Sequence, residues 1–471
     1  MAAYVRLPEE PSGSGWEHVS QDEPMDPAEP EWMPMSVGEA VGVGPSKVQL
    51  DFLMDANRPG LPGVITVVAP EAQTSRCPID LTAVIDRSGS MQGSKIELVK
   101  KTMKFLLSQL RADDRFGLVT FDHGVREDFP LTFATEDAKT ELVAKIAQIQ
   151  AGTTTNLSGG LLRGLDQQCR AHRSPVPDRN RVLRSLFLFT DGQPTVGVRG
   201  SDKLLNMLRG ARAECPTTVV HCFGFGDDHD EHLLTSLAGA AGGEYLFVED
   251  EDKIGTSFGE ALGGLLSVVA QSTSLTITEV AGFPGSLAFP ATKGPDSTTW
   301  TIDLGDLFAE ERRDIPVRLL PAAAAPMVSL RYFNIEGCRF EDTSIRCRPR
   351  QLTEEELRVV ARATTRVDAV AAMREAAKAA AAGSEAGARG ALQQAARVLA
   401  AHTNDDSEVE RLRVDLGECM LDVGAPNSRA KVCKKLAWLS SSHGKQRSVG
   451  NKAYTTPSQH RMADMCVQFV Q

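Results

Sequence analysis

The hydrophobic positions along this chain change period three times, and each change predicts a different kind of element. Residues 47–54 (KVQLDFLM) and 63–70 (GVITVVAP) read as two half-buried strands. Residues 77–86 (CPIDLTAVID) are almost wholly apolar, as a strand buried on both faces requires. Helical spacing follows in 95–110, where Ile96, Val99, Met103, Leu106, Leu107 and Leu110 share one face. The alternation then repeats. Strands are predicted at 115–121, 125–131, 183–191, 217–226 and 243–250. Helices are predicted at 136–149, 157–171, 201–212, 230–241 and 252–269. Strand and helix in turn over 77–271 predict an α/β unit with a doubly wound, mostly parallel sheet. A site on such a sheet belongs at the carboxyl ends of its strands.

After residue 271 the period drops to two. SLTITEV, SLAFPAT, TTWTIDL, RRDIPVRLL and MVSLRYFN read as short antiparallel strands between Gly, Pro and Asp turns. With the two strands of 47–69 they predict a small β-sandwich built from 46–76 and 272–348, the α/β unit being inserted within it. From Leu352 the period is helical again, opening on a capping box of Thr353 and Glu356 and breaking at Gly383. Segments 390–402 and 406–422 complete a helical unit over 349–425. The mixed pattern of 426–471 is expected to be a C-terminal tail that docks only in part.

The chain's 471 residues exceed one core, and 42% hydrophobic with 24% charged residues is an ordinary globular composition. No run of uncharged apolar residues is long enough to cross a membrane. The Ala-rich stretch 369–401 is broken by Arg374, Glu375, Lys378 and Arg389, which makes it a water-soluble helix pair. The N-terminus has no basic start followed by an apolar core, so no secretory signal is expected. Nine scattered cysteines without a Cys-x-x-Cys pair suit reduced thiols in the cytoplasm, with the nucleus as the alternative. Cys338 and Cys347 face each other across a predicted hairpin, but free thiols are the expectation. In an intracellular chain the Asn156-Leu157-Ser158 sequon has no meaning. The formal net charge is −11, and residues 1–45 carry nine acidic residues against one Arg. That segment is expected to be a disordered acidic tail, and nucleic acid is not an expected partner.

The candidate chemistry lies where the apolar strand ends, in AVIDRSGSMQGSK (83–95). In extended backbone alternate side chains point the same way, so Asp86, Ser88 and Ser90 can aim three oxygens at one point, with Gly89 allowing the bend. One carboxylate and two hydroxyls are hard ligands for a small dication, Mg2+ above all, with Mn2+ or Ca2+ as alternatives. GTTTN (152–156) opens a helix and offers Thr154 or Thr155, and FTDG (189–192) ends the next buried strand with Asp191.

With these residues in place, 79–270 resembles a von Willebrand factor type A domain, whose metal-ion-dependent adhesion site is Asp-x-Ser-x-Ser, then Thr, then Asp. The resemblance assigns those positions to Asp86, Ser88, Ser90, Thr155 and Asp191; Thr155 is chosen because the family's Thr precedes Asn, here Asn156. It implies that Asp191 acts through water, and that an open metal position is filled by an Asp or Glu of a protein partner. Thr154, Asp228 and Asp230 are candidates for the rim, although acidic residues after a strand more often cap turns and helices.

LVTFDHGVREDFPL, GTTTNLSGGLLRGL and FTDGQPTVGV, with the strand-rich and Ala-rich segments, are similar to the plant-type proteins that include the wavy-growth RING E3 ligases. Those ligases have an N-terminal RING with paired cysteines, whereas residues 1–76 hold no Cys-x-x-Cys. Ligase chemistry is therefore not carried over; an adaptor or scaffold in the ubiquitin pathway is the alternative to a general interaction module. A metal-dependent hydrolase finds little support. GTSFG (255–259) matches a nucleophile elbow, but Ser257 falls inside a predicted helix rather than at a strand–helix turn.

Overall fold

The computed structural model describes residues 47–58, 60–71, 76–173, 182–191, 193–226, 229–248, 254–283, 289–320, 326–400, 406–423, 429–446 and 454–470. The expected acidic tail, 1–45, lies outside the described residues. Two strands open the described chain, β1 (Gln49–Leu53) and β2 (Gly63–Val68), paired antiparallel.

The chain then enters a six-stranded sheet. Its strands are β3 (Ile79–Asp86), β4 (Arg115–Phe121), β5 (Val125–Phe133), β6 (Leu183–Thr190), β7 (Thr218–Phe225) and β8 (Tyr245–Val248), in the order β5-β4-β3-β6-β7-β8. All pairings are parallel except that of the edge strand β5 with β4. The connecting helices are α1 (Ser94–Gln109), α2 (Glu136–Ala147), α3 (Leu157–Arg173), α4 (Ser201–Arg212), α5 (Glu231–Ala240) and α6 (Ile254–Leu266). Alternation along β3 explains the two-sided cover. Leu81, Ala83 and Ile85 join one core with α1, α2 and α6, while Val84 joins another with α3, α4 and α5. The chain is therefore α/β with a doubly wound, mostly parallel sheet.

Among the described residues, seven further strands follow the α/β unit and, with β1 and β2, complete two antiparallel sheets: β9 (Val268–Ile277), β10 (Val280–Gly282), β11 (Ala291–Lys293), β12 (Trp300–Phe308), β13 (Arg312–Leu319), β14 (Met327–Asn334) and β15 (Arg339–Arg346). One sheet has the order β1-β2-β13-β10 and the other β11-β12-β9-β14-β15. Ile65, Val67, Ile315 and Val317 from the first share a core with Leu275, Ile302 and Leu330 from the second. Since β2 pairs with β13, the α/β unit is inserted between sequence-distant partners. Strand β15 has no counterpart in the sequence reading. Of the expected strand 286–292, the described residues place only its end in β11.

The helical unit begins as expected. Helix α7 (Glu354–Ala381) starts at the capping box, with Glu356 N–H donating to Thr353 Oγ1 (3.3 Å) and Thr353 N–H to Glu356 Oε2 (2.9 Å). Gly383, at φ +80°, ends it, and α8 (Glu385–Ala400) and α9 (Ser407–Val423) follow. All nine cysteines are free thiols.

The tail expected at 426–471 is corrected. It contains α10 (Arg429–Lys445) and α11 (Pro457–Val470), and both are docked. Val432, Leu436 and Leu439 of α10 enter the core of α7–α9. Helix α11 packs on α6 and α1, burying Met462 and Cys466. Close approach makes this seat: a Cβ at Gly259 of α6 would stand 2.6 Å from Ala463 Cα. The stripe is built from small residues, so it carries little hydrophobic signal in the sequence.

Candidate metal centre

Strands β3 and β6 are neighbours and parallel, which brings their carboxyl ends together. Asp86 is the last residue of β3, and Asp191 follows the last residue of β6; both are fully buried. The backbone turns after Asp86, and the Asp86 carboxylate accepts from Ser88 N–H (2.8 Å) at Oδ1 and from Thr190 Oγ1 (2.6 Å) at Oδ2. Ser88 Oγ lies 3.1 Å from Ser90 Oγ, and Ser90 Oγ donates to Asp191 Oδ1 at 2.8 Å. Ser88, Ser90 and Asp191 thus form a string of oxygens, joined to Asp86 through the Ser88 backbone N–H. Ser88 is buried, whereas Ser90 is exposed and opens the string to solvent.

The threonine loop is brought to the same edge by its backbone. Gly89 N–H donates to Thr153 O (3.1 Å), and Gly152 N–H donates to Arg87 O (2.6 Å). Gly152 allows this approach, since a Cβ there would stand 2.0 Å from Asp122 Oδ2. The buried Thr155 is fixed to the loop after Asp191: its N–H donates to Thr195 Oγ1 (2.9 Å), and its carbonyl accepts from Thr195 and Val196. Among the described residues no hydrogen bond joins the Thr155 hydroxyl to the other four. Thr154 Oγ1 is buried without a hydrogen-bond partner among the described residues.

The rim candidates fare differently. Asp228 lies outside the described residues. Asp230 caps α5, accepting from Leu233 N–H at 2.9 Å, so that carboxylate serves the helix. Three residues at this edge escaped the sequence reading. Thr190 supports Asp86. Asp122, just after β4, is paired with Arg87 at 3.0 Å. Lys95, in the first turn of α1, places its Nζ on Asp191 Oδ2 (2.5 Å) and 3.3 Å from Ser90 O. Its position carried a signal, because an ammonium in a helix's first turn opposes the macrodipole and needs another reason to be there.

The electrostatics separate the two acids. Asp191 has Lys95 as its counter-ion. Asp86 has two neutral donors and, among the described residues, no cationic partner. Burial pushes its pKa up to about 6, against the lowering effect of the Thr190 and Ser88 hydrogen bonds; the charge of Asp191 adds to the rise. A buried carboxylate without a cationic partner among the described residues, at the head of hydroxyl oxygens, fits a hard dication: every ligand atom is oxygen, and the missing element is positive charge.

With this geometry established, the known proteins can be compared. Residues 80–260 match the von Willebrand factor type A domain. Uncharacterized protein sll0103 of Synechocystis sp. is 25% identical over 256 residues, 52% of this chain and 57% of that one. E3 ubiquitin-protein ligase WAV3 of Arabidopsis thaliana is 28% identical over 286 residues, 58% of this chain and 34% of that one. In both cases the match spans less than two thirds of the relative. The structure of a von Willebrand factor type A protein from Catenulispora acidiphila superposes with a TM-score of 0.59 at 19% identity, covering 78% of this chain and 89% of that one. That likeness concerns the fold. Residues 80–260 of this chain are a von Willebrand factor type A domain.

Proposed function

We propose that this protein is a non-enzymatic interaction module that captures an acidic group of a protein partner through a divalent cation, Mg2+ in the first instance, with Mn2+ or Ca2+ able to substitute. Asp86, Ser88, Ser90 and Thr155 hold the cation, and Asp191 acts from outside through the Ser90 hydroxyl. The bound cation supplies a positive charge with an open position for a carboxylate. The observation that carries this reading is the buried Asp86 carboxylate, without a cationic partner among the described residues, at the head of a string of oxygens that reaches solvent at Ser90. Specificity then falls to the loops around the edge, because a carboxylate is common to many surfaces.

Two features weigh against hydrolysis. Ser257 is buried and lies within α6, which is described from Ile254, so the GTSFG match is helical rather than a turn that presents a serine. Two further carboxylates described near this edge are already engaged, Asp122 with Arg87 and Asp230 with the N-terminus of α5. A place in ubiquitin transfer, as an adaptor presenting a captured protein, is the second reading; similarity to the WAV3 ligase over 58% of this chain favours it. Among the described residues no helix is long and apolar enough to cross a membrane.

The test is Asp86→Ala in the full chain. Calorimetric titration with Mg2+ and Mn2+ is expected to show affinity lowered by more than about a hundredfold, since loss of even an outer-shell partner costs about 10–100-fold. Partners captured in Mg2+ are expected to be lost both with this variant and with a chelator, while circular dichroism stays unchanged. Equal recovery of the same partners in all three conditions would sink the mechanism.

A further inference from the structure

We infer that Lys95 is a tethered competitor for the metal centre: its ammonium and a divalent cation exclude one another at Asp191, so that this lysine sets the affinity of the site. The inference rests on the metal-site reading above and adds a regulator to it.

Four observations converge. Lys95 Nζ is bonded to Asp191 Oδ2, and Ser90 Oγ donates to Asp191 Oδ1, so both oxygens of this buried carboxylate are engaged. Lys95 Nζ also lies 3.3 Å from the backbone carbonyl of Ser90, whose hydroxyl is a predicted ligand, so the ammonium sits beside the string of oxygens. The lysine side chain is 29% exposed while that of Asp191 is 0% exposed; the cation can leave and the anion cannot. At the end of β7 the backbone beside the ammonium is Gly226, which presents no side chain to it; a Cβ there would stand 3.7 Å from Nζ.

Charge decides the direction. Asp86 and Asp191 bring two negative charges to the edge, and Lys95 brings one positive. A dication added with the ammonium still in place would stand against a like charge at hydrogen-bond range, in a setting that shields charges poorly. The ammonium has a solvated alternative, because lysine carries a compact charge on a flexible stem. Its place in the first turn of α1 also costs it the helix-dipole term, so nothing on its own helix holds it against Asp191. The expected consequence is exchange: the cation sits on Asp86 and takes over the charge of Asp191 through Ser90, and the lysine moves to solvent at the rim.

The experiment uses the full chain with Mn2+ as probe. Titration calorimetry compares the unaltered protein with Lys95→Gln, and Asp86→Ala marks the loss of the site. Lys95→Gln is expected to bind Mn2+ about tenfold more tightly, a difference of about 1.4 kcal/mol. Through-space repulsion alone would also tighten binding, so a second measurement reads displacement directly. Reductive methylation of Lys95, followed by mass spectrometry in the unaltered protein, is expected to speed up when Mn2+ saturates the site. If Lys95→Gln fails to fold, the methylation rate still decides. Unchanged methylation at saturation, or equal or weaker Mn2+ binding by Lys95→Gln, overturns the competitor while leaving the metal site standing. Absence of Mn2+ binding in the unaltered protein and in Lys95→Gln alike overturns both.

Discussion

His229 shows how strongly burial acts on one side chain here. It is 1% exposed, with Nε2 2.7 Å from the Tyr245 hydroxyl and Nδ1 3.3 Å from the Phe225 carbonyl. Burial, aided by the positive charges of Lys434 and Lys95, pushes its pKa down from 6.5 to about 3. A depressed histidine makes the folded protein bind fewer protons than the unfolded chain. Its stabilising contribution is therefore complete above about pH 6.5 and is lost progressively as the pH falls towards about 3. Between pH 7 and 5 the loss amounts to about 2 kcal/mol. Urea denaturation of the unaltered protein and of His229→Gln at those two pH values is expected to differ by that amount in pH dependence; parallel behaviour would show that the imidazole titrates freely. The residues at the candidate metal centre were legible to different degrees for similar physical reasons. Asp86, Ser88, Ser90 and Asp191 could be read because extended backbone turns sequence spacing into direction, and because apolar strands mark where an edge lies. Lys95 sits on the next helix, and no local rule says that its stem reaches back to Asp191. Asp230 illustrates the opposite limit, since an acid after a strand looks the same in sequence whether it lines a site or caps a helix.

Among the elements, those with strong periods were legible and those that depend on close approach were not. Strands β3, β4 and β6 are buried along their whole length and announce themselves as apolar runs. Strand β15 alternates exposed and half-buried positions at the edge of its sheet, and its sequence RFEDTSIR offers only Phe340 and Ile345 as apolar markers. Helix α11 was hidden because its partner surface is a row of glycines. Gly255, Gly259 and Gly263 lie four residues apart on α6, and a Cβ on each would approach the α11 backbone to 3.3, 2.6 and 2.7 Å respectively. Lys101 Nζ, donating to Val470 O at 2.8 Å, ties the far end of α11 to α1. Gly259→Val is therefore expected to force the two helices apart, at a cost of about 1–3 kcal/mol or more. Thermal denaturation should report that loss, and limited proteolysis should report cleavage within 457–470. Gly239→Ala in α5 is the control, because a Cβ there meets nothing within 4 Å and alanine favours the helix. Equal stability of the two variants would mean that the glycine stripe does not seat α11.

Across the whole molecule, a buried ionic network joins units that are distant in sequence. Arg366 of α7 is 1% exposed; its guanidinium is 3.1 Å from Glu408 of α9 and donates to the carbonyls of His443 (3.0 Å) in α10 and of Asp314 in β13. Asp314 accepts in turn from Thr66 of β2 at 2.7 Å. His443 continues the network to Asp415 (2.8 Å) and Tyr454 (2.9 Å), and the Tyr454 hydroxyl donates to Glu408 at 3.2 Å. Helix α10 also reaches the α/β unit, through Lys434 to Glu231 (3.2 Å) and Lys445 to Glu244 (3.3 Å). None of this was legible, because a charge in a sequence is by default a solvated one. Buried charges that satisfy one another specify a single arrangement, and removing one member leaves the others without compensation. The two antiparallel sheets, the helical unit and the α/β unit should therefore unfold together. Arg366→Met is expected to cost about 3 kcal/mol, because two buried carbonyls lose their donor and Glu408 is left with Arg362 (3.2 Å) as its cation. Combined with Glu408→Gln, the total loss should fall short of the sum of the two single losses, as coupled sites give and independent ones do not. Urea unfolding followed by circular dichroism and by tryptophan fluorescence should give one coincident transition for the unaltered chain and separate transitions for Arg366→Met. Saturating Mg2+ should raise the single midpoint seen by both probes, because a ligand of the folded state stabilises everything that unfolds with its site. If Mg2+ moved one probe and not the other, the network would be a local feature of the helical unit, and the metal centre would report on the α/β unit alone.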